Sequence, residues 1–456
     1  MAGGIWTSQN KKLPGVYINV KSAGNITANI GTRGIVAICE PMSWGPANVV
    51  QEYIPGEDPT PYIGYPLTAD QARFIREMTK GSDVTAGPIR ILLYRPAGTG
   101  GVKATATIGQ LTVTALYEGV RGNDISIVIS EDVDTASTYH VETVVDGTVV
   151  DSQTITDLSQ LVANAWVTFS GTGTTIEETA GESLSTGADP SVAAADYATF
   201  LTNIEPYQFD ILIYDGTDST TIQAIASFVE RVSNNIGQKC QAVMAGESAV
   251  NSNSEFVIAV MNGVILDDGT QLTAQQATWW VGGCEAGAQY NESLTYAQYP
   301  NAVEANPKLT ASQMEEAAEN GYIAFLDEFD SIKVCTDINT LTTFTPDKGK
   351  EFSKNRVMRV LMQFCNDCYE YFSTSFIGKV DNNDAGRNLL KGWIVGYFNE
   401  MQANNGVQNF SADDVEVLPG NDVDSVLVNV AIQPVDAIEK VYVSVTVSVN
   451  TTDTAA

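Results

Sequence analysis

Histidine and basic side chains are scarce in this chain of 456 residues. His140 is the single histidine, and 24 Lys and Arg side chains stand against 55 Asp and Glu, so the formal net charge is −31 at pH 7. Phosphate backbones are bound by clustered Lys and Arg, so this balance excludes nucleic acid as an expected partner. A Ser-His-Asp or Cys-His catalytic arrangement would have to form around one position, which lies in an acidic segment.

Long apolar runs are missing as well. No stretch of about 18 consecutive apolar residues occurs, so we expect no membrane span. The first residues do not combine a basic segment with an apolar one, so we also expect no secretory leader. The chain is nevertheless 44% hydrophobic, which is enough for globular packing, and its length predicts more than one domain.

The motifs of common enzymes and metal sites are also absent. The sequence contains no Walker, HExxH or GxSxG motif. Cys365 and Cys368 have the CxxC spacing of a zinc or redox site, but they fall on a helical pattern with no further ligands nearby. Other cysteines, such as Cys39, lie in apolar stretches and are expected to be buried free thiols in a reducing compartment. We therefore predict a protein that is not an enzyme and has neither cofactor nor metal.

An acidic turn at residues 381–386 resembles a calcium-binding loop in composition. Ala385 and Gly392, however, occupy positions where such a loop needs oxygen ligands. We interpret the segment as a turn between two helices, with Asp384 as the N-cap of the second.

Strict alternation of apolar and polar residues marks both ends of the chain. It covers residues 426–432 and 441–449 near the C-terminus and residues 16–20 near the N-terminus, and it predicts half-buried strands. A short terminal strand buries too little surface to be stable alone, so it can be lent to the sheet of a neighbouring subunit. We predict strand pairing between subunits at Val16, Tyr17, Ile18, Asn19, Val20, Tyr442, Val443, Val445, Val447 and Val449.

The two ends also differ in charge. Residues 1–39 contain four bases and no acid, whereas residues 411–456 contain eight acids and one base. Opposite charge favours the encounter of unlike ends. The alternative interpretation is that each end is separately solvated.

Changes in composition divide the chain into segments. Residues 98–101 are glycine-rich, and residues 102–189 then contain sixteen threonines, thirteen acids and two bases in short alternating runs. This pattern predicts an all-β sandwich that is inserted into the preceding domain and faces solvent. The predicted division is an N-terminal arm (1–21), a first part of the core domain (22–101), the inserted sandwich (102–189), a second part of the core domain (190–345) and a C-terminal domain (346–456).

Helical and strand periodicities alternate after the sandwich and predict an α/β layer. The predicted elements there are helices at 221–236, 273–288, 352–377 and 385–403, a strand at 241–245, and a hairpin made of 321–325 and 331–334. The predicted fold class is therefore α+β and multi-domain. It comprises an α/β core with an inserted all-β sandwich and a C-terminal domain of two helices plus strands, with the terminal strands shared between subunits.

Three stretches near the ends form a distinctive combination. They are residues 12–19 (Lys-Leu-Pro-Gly-Val-Tyr-Ile-Asn), residues 31–37 (Gly-Thr-Arg-Gly-Ile-Val-Ala) and residues 426–442. Together they resemble contractile tail sheath proteins of myophages and of phage-like particles of Gram-positive bacteria. The resemblance extends over essentially the whole chain, including the inserted sandwich, and its specificity comes from the combination of motifs.

The resemblance implies a structural subunit. Such subunits polymerise as stacked hexameric rings around a tail tube, and the sheath contracts to drive the tube through the target cell envelope. The implied partners are neighbouring sheath subunits, the tube protein, and the baseplate and tail terminator proteins. The implied location is the virion tail or a phage-like particle, assembled in the host cytoplasm. Because the C-terminal domain of sheaths faces the tube, the resemblance also implies a tube contact at Lys379, Arg387 and Lys391.

The main alternative is a non-enzymatic cell-surface or array protein built of β-modules. The expected lack of a leader and the helices before the final strands disfavour it. A tail tube protein is a second alternative, but tube subunits are generally shorter and lack an outward insertion. An enzyme is a third, for which the sequence names no substrate.

Overall fold

The computed structural model describes residues 30–447, together with the backbone of residues 3–4 and 16–17. These residues fall into two compact units. The larger unit comprises Thr32–Tyr371 and Val435–Ala456, and the smaller unit comprises Met1–Gly31 and Phe372–Pro434. Residues 435–456 therefore belong to the larger unit, although they follow the residues of the smaller unit in the sequence.

The elements that precede the sandwich are short and mostly extended. In chain order they are β1 (Gly3–Gly4), β2 (Val16–Tyr17), β3 (Ile35–Cys39), β4 (Val50–Tyr53), α1 (Thr60–Ile63), α2 (Arg73–Thr79) and β5 (Arg90–Tyr94). β3 and β5 are parallel neighbours, and β4 lies antiparallel to β5. Apolar side chains fill both faces of β3, as expected for a strand that is covered on both sides.

A β-sandwich follows, as the sequence predicted. Its strands are β6 (Lys103–Ile108), β7 (Leu111–Glu118), β8 (Ile125–Glu131), β9 (Tyr139–Val145), β10 (Thr148–Ile155), β11 (Val167–Ser170) and β12 (Thr179–Ser183). They form antiparallel sheets with the orders β11-β7-β6 and β10-β9-β8-β12. Ile125, Ile127 and Ile129 of β8 are buried, so period-two alternation places one apolar face of the strand in the sandwich core.

Two buried arginines, Arg95 and Arg121, lie where the sandwich joins the rest of the larger unit. The Arg95 guanidinium donates to the carbonyl oxygens of Met42 and Glu118, each at 2.7 Å. Arg121 donates through Nε to the carbonyl oxygen of Gly64, also at 2.7 Å. Because a guanidinium offers several donors in a fixed plane, Arg95 holds backbone from both sides of the junction, whereas Arg121 joins the Gly64 backbone to the Asp124 and Asp146 carboxylates of the sandwich.

The core sheet is completed after the sandwich. The elements are α3 (Ala194–Ile204), β13 (Ile211–Ile213), α4 (Ser219–Arg231), β14 (Gln241–Ala245), α5 (Glu247–Val250), β15 (Val257–Val260), β16 (Gly263–Leu266), β17 (Gln271–Leu272), α6 (Ala274–Gly287), β18 (Ala302–Asn306), α7 (Ala311–Glu319), β19 (Tyr322–Ile323), β20 (Phe325–Glu328) and β21 (Ser331–Val334). The sheet has the order β19-β15-β14-β13-β3-β5-β4 and is parallel except at β4. α2 and α6 pack on one face, and α3 and α4 pack on the other. This confirms the predicted α/β layer.

Two elements of this region differ from their predictions. The predicted strand at 321–325 is divided: β19 joins the core sheet, whereas Phe325 begins β20, which pairs with β21. The predicted helix at 221–236 is α-helical only to Arg231, and it ends in a π-helical turn over Val232–Ile236. Gly237, at φ 96°, accepts the left-handed conformation that closes this turn.

The smaller unit contains the end of one long helix, the whole of a second helix and several short strands. The elements from residue 355 onward are α8 (Asn355–Ser375), α9 (Asp384–Ala403), β22 (Val407–Gln408), β23 (Val415–Pro419), β24 (Val426–Val430) and β25 (Gln433–Pro434). α8 contributes residues to both units. β23 pairs with β24, and β22 pairs with β25, both antiparallel. The two predicted helices and the first predicted C-terminal strand are confirmed.

The N-cap of α9 is Asn383, not Asp384. The Asn383 side chain accepts the Gly386 N–H at 2.9 Å, and Asp384 is the first helical residue. Asn383 has the extended backbone that an N-cap requires, so the prediction was wrong by one residue.

Within the described part of the chain, no helix combines the length and the apolarity needed to cross a membrane.

Candidate functional site

The C-terminal segment, residues 441–447, carries the exposed apolar alternation that the sequence singled out. Tyr442 is 91% exposed and Val445 is 80% exposed. In the described range 435–447 the backbone forms no strand, so the predicted strand at 441–449, which was assigned a partner in a neighbouring subunit, stays a prediction. The physical reason that no strand forms in this range is that a strand needs a neighbour to accept its backbone hydrogen bonds, and these residues have none there. Val449 lies outside the described residues.

The residues just before this segment are held firmly. The Glu439 carboxylate forms an ion pair with the Lys354 ammonium, and it accepts a hydrogen bond from the Thr295 hydroxyl at 2.8 Å. Lys354 directly precedes α8. We call Thr295, Lys354 and Glu439 the tail anchor. All three side chains are half-buried, so the anchor fixes where the C-terminal segment leaves the larger unit.

The tail anchor is linked to a buried charge cluster. The Thr295 hydroxyl also accepts the Asp337 N–H at 2.9 Å. The fully buried Arg359 guanidinium donates to the Asp337 carboxylate at 2.8 Å and to the Glu285 carboxylate. Asn355 donates to the Asp337 carboxylate, also at 2.8 Å. We call Glu285, Asp337 and Arg359 the arginine cluster.

The two carboxyl groups of the arginine cluster are unequal. Burial raises the pKa of Glu285, and the nearby charge of Asp337 raises it further. For Asp337, burial also opposes ionisation, but the positive charge of Arg359 prevails and lowers its pKa to about 2. The cluster therefore contains an ionised Asp337 paired with Arg359. This salt bridge is connected to the tail anchor through the hydrogen bond between Asp337 and Thr295.

The N-terminal residues that were predicted to pair are described only in part. Val16 and Tyr17 form β2, which pairs in parallel with β1. Ile18, Asn19 and Val20 lie outside the described residues. Pairing with another subunit therefore stays a prediction.

Exposed apolar residues also mark the smaller unit. Leu418 of β23 and Leu427 of β24 are both exposed. A cavity of about 320 Å³ lies beside this hairpin, and its lining includes Phe376, Leu390 and Val428. The hairpin thus leaves apolar surface accessible in the single chain.

The residues that were predicted to contact a tail tube lie around the turn between α8 and α9. Lys379 is exposed, and its ammonium donates to the Thr374 carbonyl. Arg387 forms an ion pair with Asp384 at 2.5 Å, and Lys391 is half-buried. Part of the basic charge of this group is therefore compensated locally, and the tube contact stays a prediction.

The other chemistry-bearing residues lie apart from one another. His140 pairs with Asp132 at 2.9 Å in the sandwich, and Cys365 and Cys368 lie on α8. Cys39 is a buried free thiol, as predicted. Over the described ranges, no group of three or more His, Cys, Asp or Glu side chains is arranged to hold a metal ion.

Sequence reasoning did not find the tail anchor. Lys354 and Glu439 are 85 positions apart, and Thr295 is 144 positions from Glu439. The local signal is weak, because Glu439 is one of three charged residues between 436 and 440. Such a charge near a strand can equally be solvated, so only the fold reveals its partners.

Comparisons with known proteins agree with this architecture along nearly the whole chain. The phage tail sheath protein beta-sandwich domain family matches residues 99–189, and the phage tail sheath protein central domain family matches residues 191–340. The phage tail sheath C-terminal domain family matches residues 347–448. The phage-like element PBSX protein XkdK of Bacillus subtilis (strain 168) is 33% identical, and the match covers 98% of this chain and 100% of XkdK.

Solved structures give the same result. The sheath tail protein of Desulfitobacterium hafniense is 41% identical with a TM-score of 0.84, and the match covers 95% of this chain and 100% of that chain. The sheath tail protein Lin1278 of Listeria innocua is 31% identical with a TM-score of 0.75, and the match covers 91% of this chain and 94% of that chain. The chain belongs to the phage tail sheath protein family. It is therefore a structural component of a phage tail or phage-like element and not an enzyme.

Proposed function

We propose that this protein is the repeating subunit of a contractile sheath, in which stacked hexameric rings surround a tail tube. Contraction of the sheath would drive the tube through the target cell envelope. The observation that carries the proposal is the C-terminal segment, which is anchored at Glu439, is exposed over residues 441–447 and forms no strand pair within the part of the chain that the structure describes. A segment that is fixed at one end and lacks a partner along its length is suited to strand addition with a neighbouring subunit.

The neighbour would supply residues 16–20 as the complementary strand. Backbone hydrogen bonds are strong as a set and largely independent of side-chain identity, so such pairing can persist while subunits rotate. The basic residues of 1–39 and the acidic residues of 411–456 favour the encounter of unlike ends. Each subunit would thereby be tied to its neighbours by its own chain.

The remaining partners follow from the family. We propose that the subunit contacts the tail tube through the turn between α8 and α9, at Lys379, Arg387 and Lys391. Baseplate and tail terminator proteins would meet the two ends of the sheath, and assembly would take place in the host cytoplasm. We also retain the five-segment division of the chain, with the sandwich at 102–189 on the outside of the particle.

The test removes either half of the proposed strand pair. Deleting residues 1–20, or changing Val445 to Pro, should give folded subunits that do not polymerise, because proline removes a backbone donor and bends the strand. Sedimentation velocity reports assembly, and circular dichroism reports folding. Val445→Thr is the matched control, since it keeps the backbone N–H and the β-propensity and should assemble.

Two results would contradict the proposal. The first is long cylinders formed by the truncated or the Val445→Pro protein. The second is unfolding of the core on truncation, since the arm would then belong to its own subunit.

A further inference from the structure

A groove in the larger unit lies beside the point where the C-terminal segment begins. Its volume is about 680 Å³, and it runs between α7 and β20. Met314 and Ala318 of α7 and Leu326 of β20 give it an apolar lining. Lys440 stands on its rim, two residues before Tyr442. We call this depression the α7 groove.

The α7 side of the groove is acidic. Glu315 and Glu319 line it one helical turn apart, and both side chains are exposed. Across residues 30–447, no Lys or Arg forms an ion pair with either carboxylate, whereas Lys308 on the same rim already pairs with Asp327 at 2.9 Å. The groove therefore combines apolar surface with uncompensated negative charge.

Exposed aromatic rings continue this surface. Tyr296 is 48% exposed and lines the groove, and Phe329 is 86% exposed at the tip of the β20–β21 hairpin. Both have positive φ, 62° and 51°, a conformation that bulky side chains rarely adopt. The Lys333 ammonium lies within 6 Å of both ring centroids, at 5.4 Å and 5.8 Å. Strained backbone and exposed aromatic residues together are typical of contact surfaces.

We propose that the α7 groove binds residues 5–15 of a second copy of this chain. This segment contains Lys11 and Lys12 and no acid, and it also supplies Trp6 and Leu13 as apolar side chains. Its chemistry is therefore complementary to an apolar groove with carboxylates on one wall. The inference rests on the proposed function, because it extends the strand pairing to the residues that precede it.

The proposal also fixes the direction of the strand pair. If residues 16–20 lie parallel to the segment that starts at Tyr442, the preceding residues run back past Lys440 toward the groove. Four or five extended residues span about 15 Å, so Lys11 and Lys12 come within reach of Glu315 and Glu319. An antiparallel pairing would instead bring Lys21 toward the groove and carry Lys11 and Lys12 away from it.

Charge exchange in the full-length protein tests this contact. Reversal of the acidic wall, in the double variant Glu315→Lys and Glu319→Lys, should raise the protein concentration needed for assembly about tenfold, which corresponds to about 1.4 kcal/mol. Reversal of the partner, Lys11→Glu and Lys12→Glu, should do the same. The protein that carries all four changes should assemble near the wild-type concentration, because the charges again oppose each other.

Glu316→Lys is the matched control. It makes the same charge change on α7 at a position that does not line the groove, so it should leave assembly unchanged. Sedimentation velocity gives the concentration dependence, and circular dichroism confirms that each variant is folded. Deleting residues 1–15 while keeping 16–20 should match the effect of the double variants.

Three results would overturn the assignment. The first is an effect of Glu316→Lys on assembly as large as that of the Glu315→Lys and Glu319→Lys double variant. The second is no recovery of assembly in the variant that carries all four changes, and the third is full assembly after deletion of residues 1–15. Each of them leaves the strand pair of the proposed function intact. That pair fails separately, if Val445→Pro assembles normally.

Discussion

Two pairs of carboxyl groups in the larger unit differ in whether a cation lies beside them. In the arginine cluster, Glu285 and Asp337 are fully buried and share the charge of Arg359. In both pairs the two carboxyl groups hydrogen-bond each other, but no cation is among the groups that act on the half-buried Glu40 and Asp215. Both pairs therefore retain a proton, on Glu285 and on Glu40, and only the first pair also contains a salt bridge.

The second pair follows from sheet register. Ile38 of β3 lies opposite Ile213 of β13, so the residues two positions later, Glu40 and Asp215, leave the parallel strands side by side. Trp279 of α6 donates its indole N–H to Asp215 at 3.1 Å, which favours the ionised form of this carboxyl group. Burial, together with the charge of Asp215, raises the pKa of Glu40 well above its usual range. Glu40 is therefore the group that retains the proton.

The two carboxyl pairs therefore predict different responses to pH for the tail anchor and for the core sheet. The Asp337–Arg359 salt bridge stays charged over the ordinary pH range, and it connects to the C-terminal segment through Thr295 and Glu439. The Glu40–Asp215 pair depends on pH but lies at the end of the core strands, in contact with α6. The tail anchor should therefore be insensitive to moderate changes of pH, whereas the stability of the core sheet should not be.

Breaking the arginine cluster should have the largest effect on stability. Arg359→Met leaves the Asp337 charge buried without a partner, so we expect a loss of about 3–5 kcal/mol in the free energy of unfolding. Urea denaturation followed by circular dichroism measures it. Arg231→Met, which removes an exposed ion pair with Glu205, is the control and should cost less than about 1 kcal/mol. An equally small loss for Arg359→Met would show that the cluster contributes little to folding.

The Glu40–Asp215 pair predicts a change of the free energy of unfolding with pH, and we expect this effect to be of intermediate size. The folded state retains the Glu40 proton at pH values where the unfolded chain has lost it, so stability should fall as pH rises from the usual carboxyl pKa through the raised one. Glu40→Gln keeps a hydrogen-bond donor without ionising. It should therefore be more stable than the wild type at alkaline pH, by on the order of 1 kcal/mol or more.

Thermal unfolding measured from about pH 5 to about pH 9 checks this prediction, because the stabilities of the wild type and of Glu40→Gln should diverge over this range. The groups that face the pair are Cys39, Tyr197, Tyr214 and Asp196, and they are unchanged in the variant. Glu316→Gln is the control for loss of an exposed carboxylate. Parallel pH curves for the wild type and Glu40→Gln would refute the shared proton.

The tail anchor should have the smallest effect on stability. Glu439→Gln removes a half-buried ion pair with Lys354, which should cost about 1 kcal/mol or less. Because the arginine cluster behind it is untouched, the core should keep its unfolding midpoint, while amide hydrogen exchange over residues 435–440 should become faster. Asp436→Asn is the control, since Asp436 is exposed. Unchanged exchange in Glu439→Gln would mean that the segment is held by other contacts.

Local periodicity was sufficient for many elements but not for the connections between them. Gln241–Ala245 has the bounds predicted from the sequence, because a strand that is buried on both faces consists of consecutive apolar or uncharged residues. β16 and β18 were not predicted, since short strands of mixed residues carry no clear period. The predicted strand at 321–325 was misplaced because its residues serve two different sheets.

The acidic composition, the β-sandwich, the α/β core and the helix pair could all be predicted from the sequence, and the end motifs indicated the sheath family. Each of these properties is encoded by neighbouring residues or by composition. The pairing of Glu439 with Lys354, the position of Glu40 beside Asp215 and the lack of a strand partner for residues 441–447 among the described residues are seen only in the folded chain. The reason is physical: ion pairs, shared protons and strand pairing depend on groups that the fold brings together from distant positions, and alternation alone does not specify the partner.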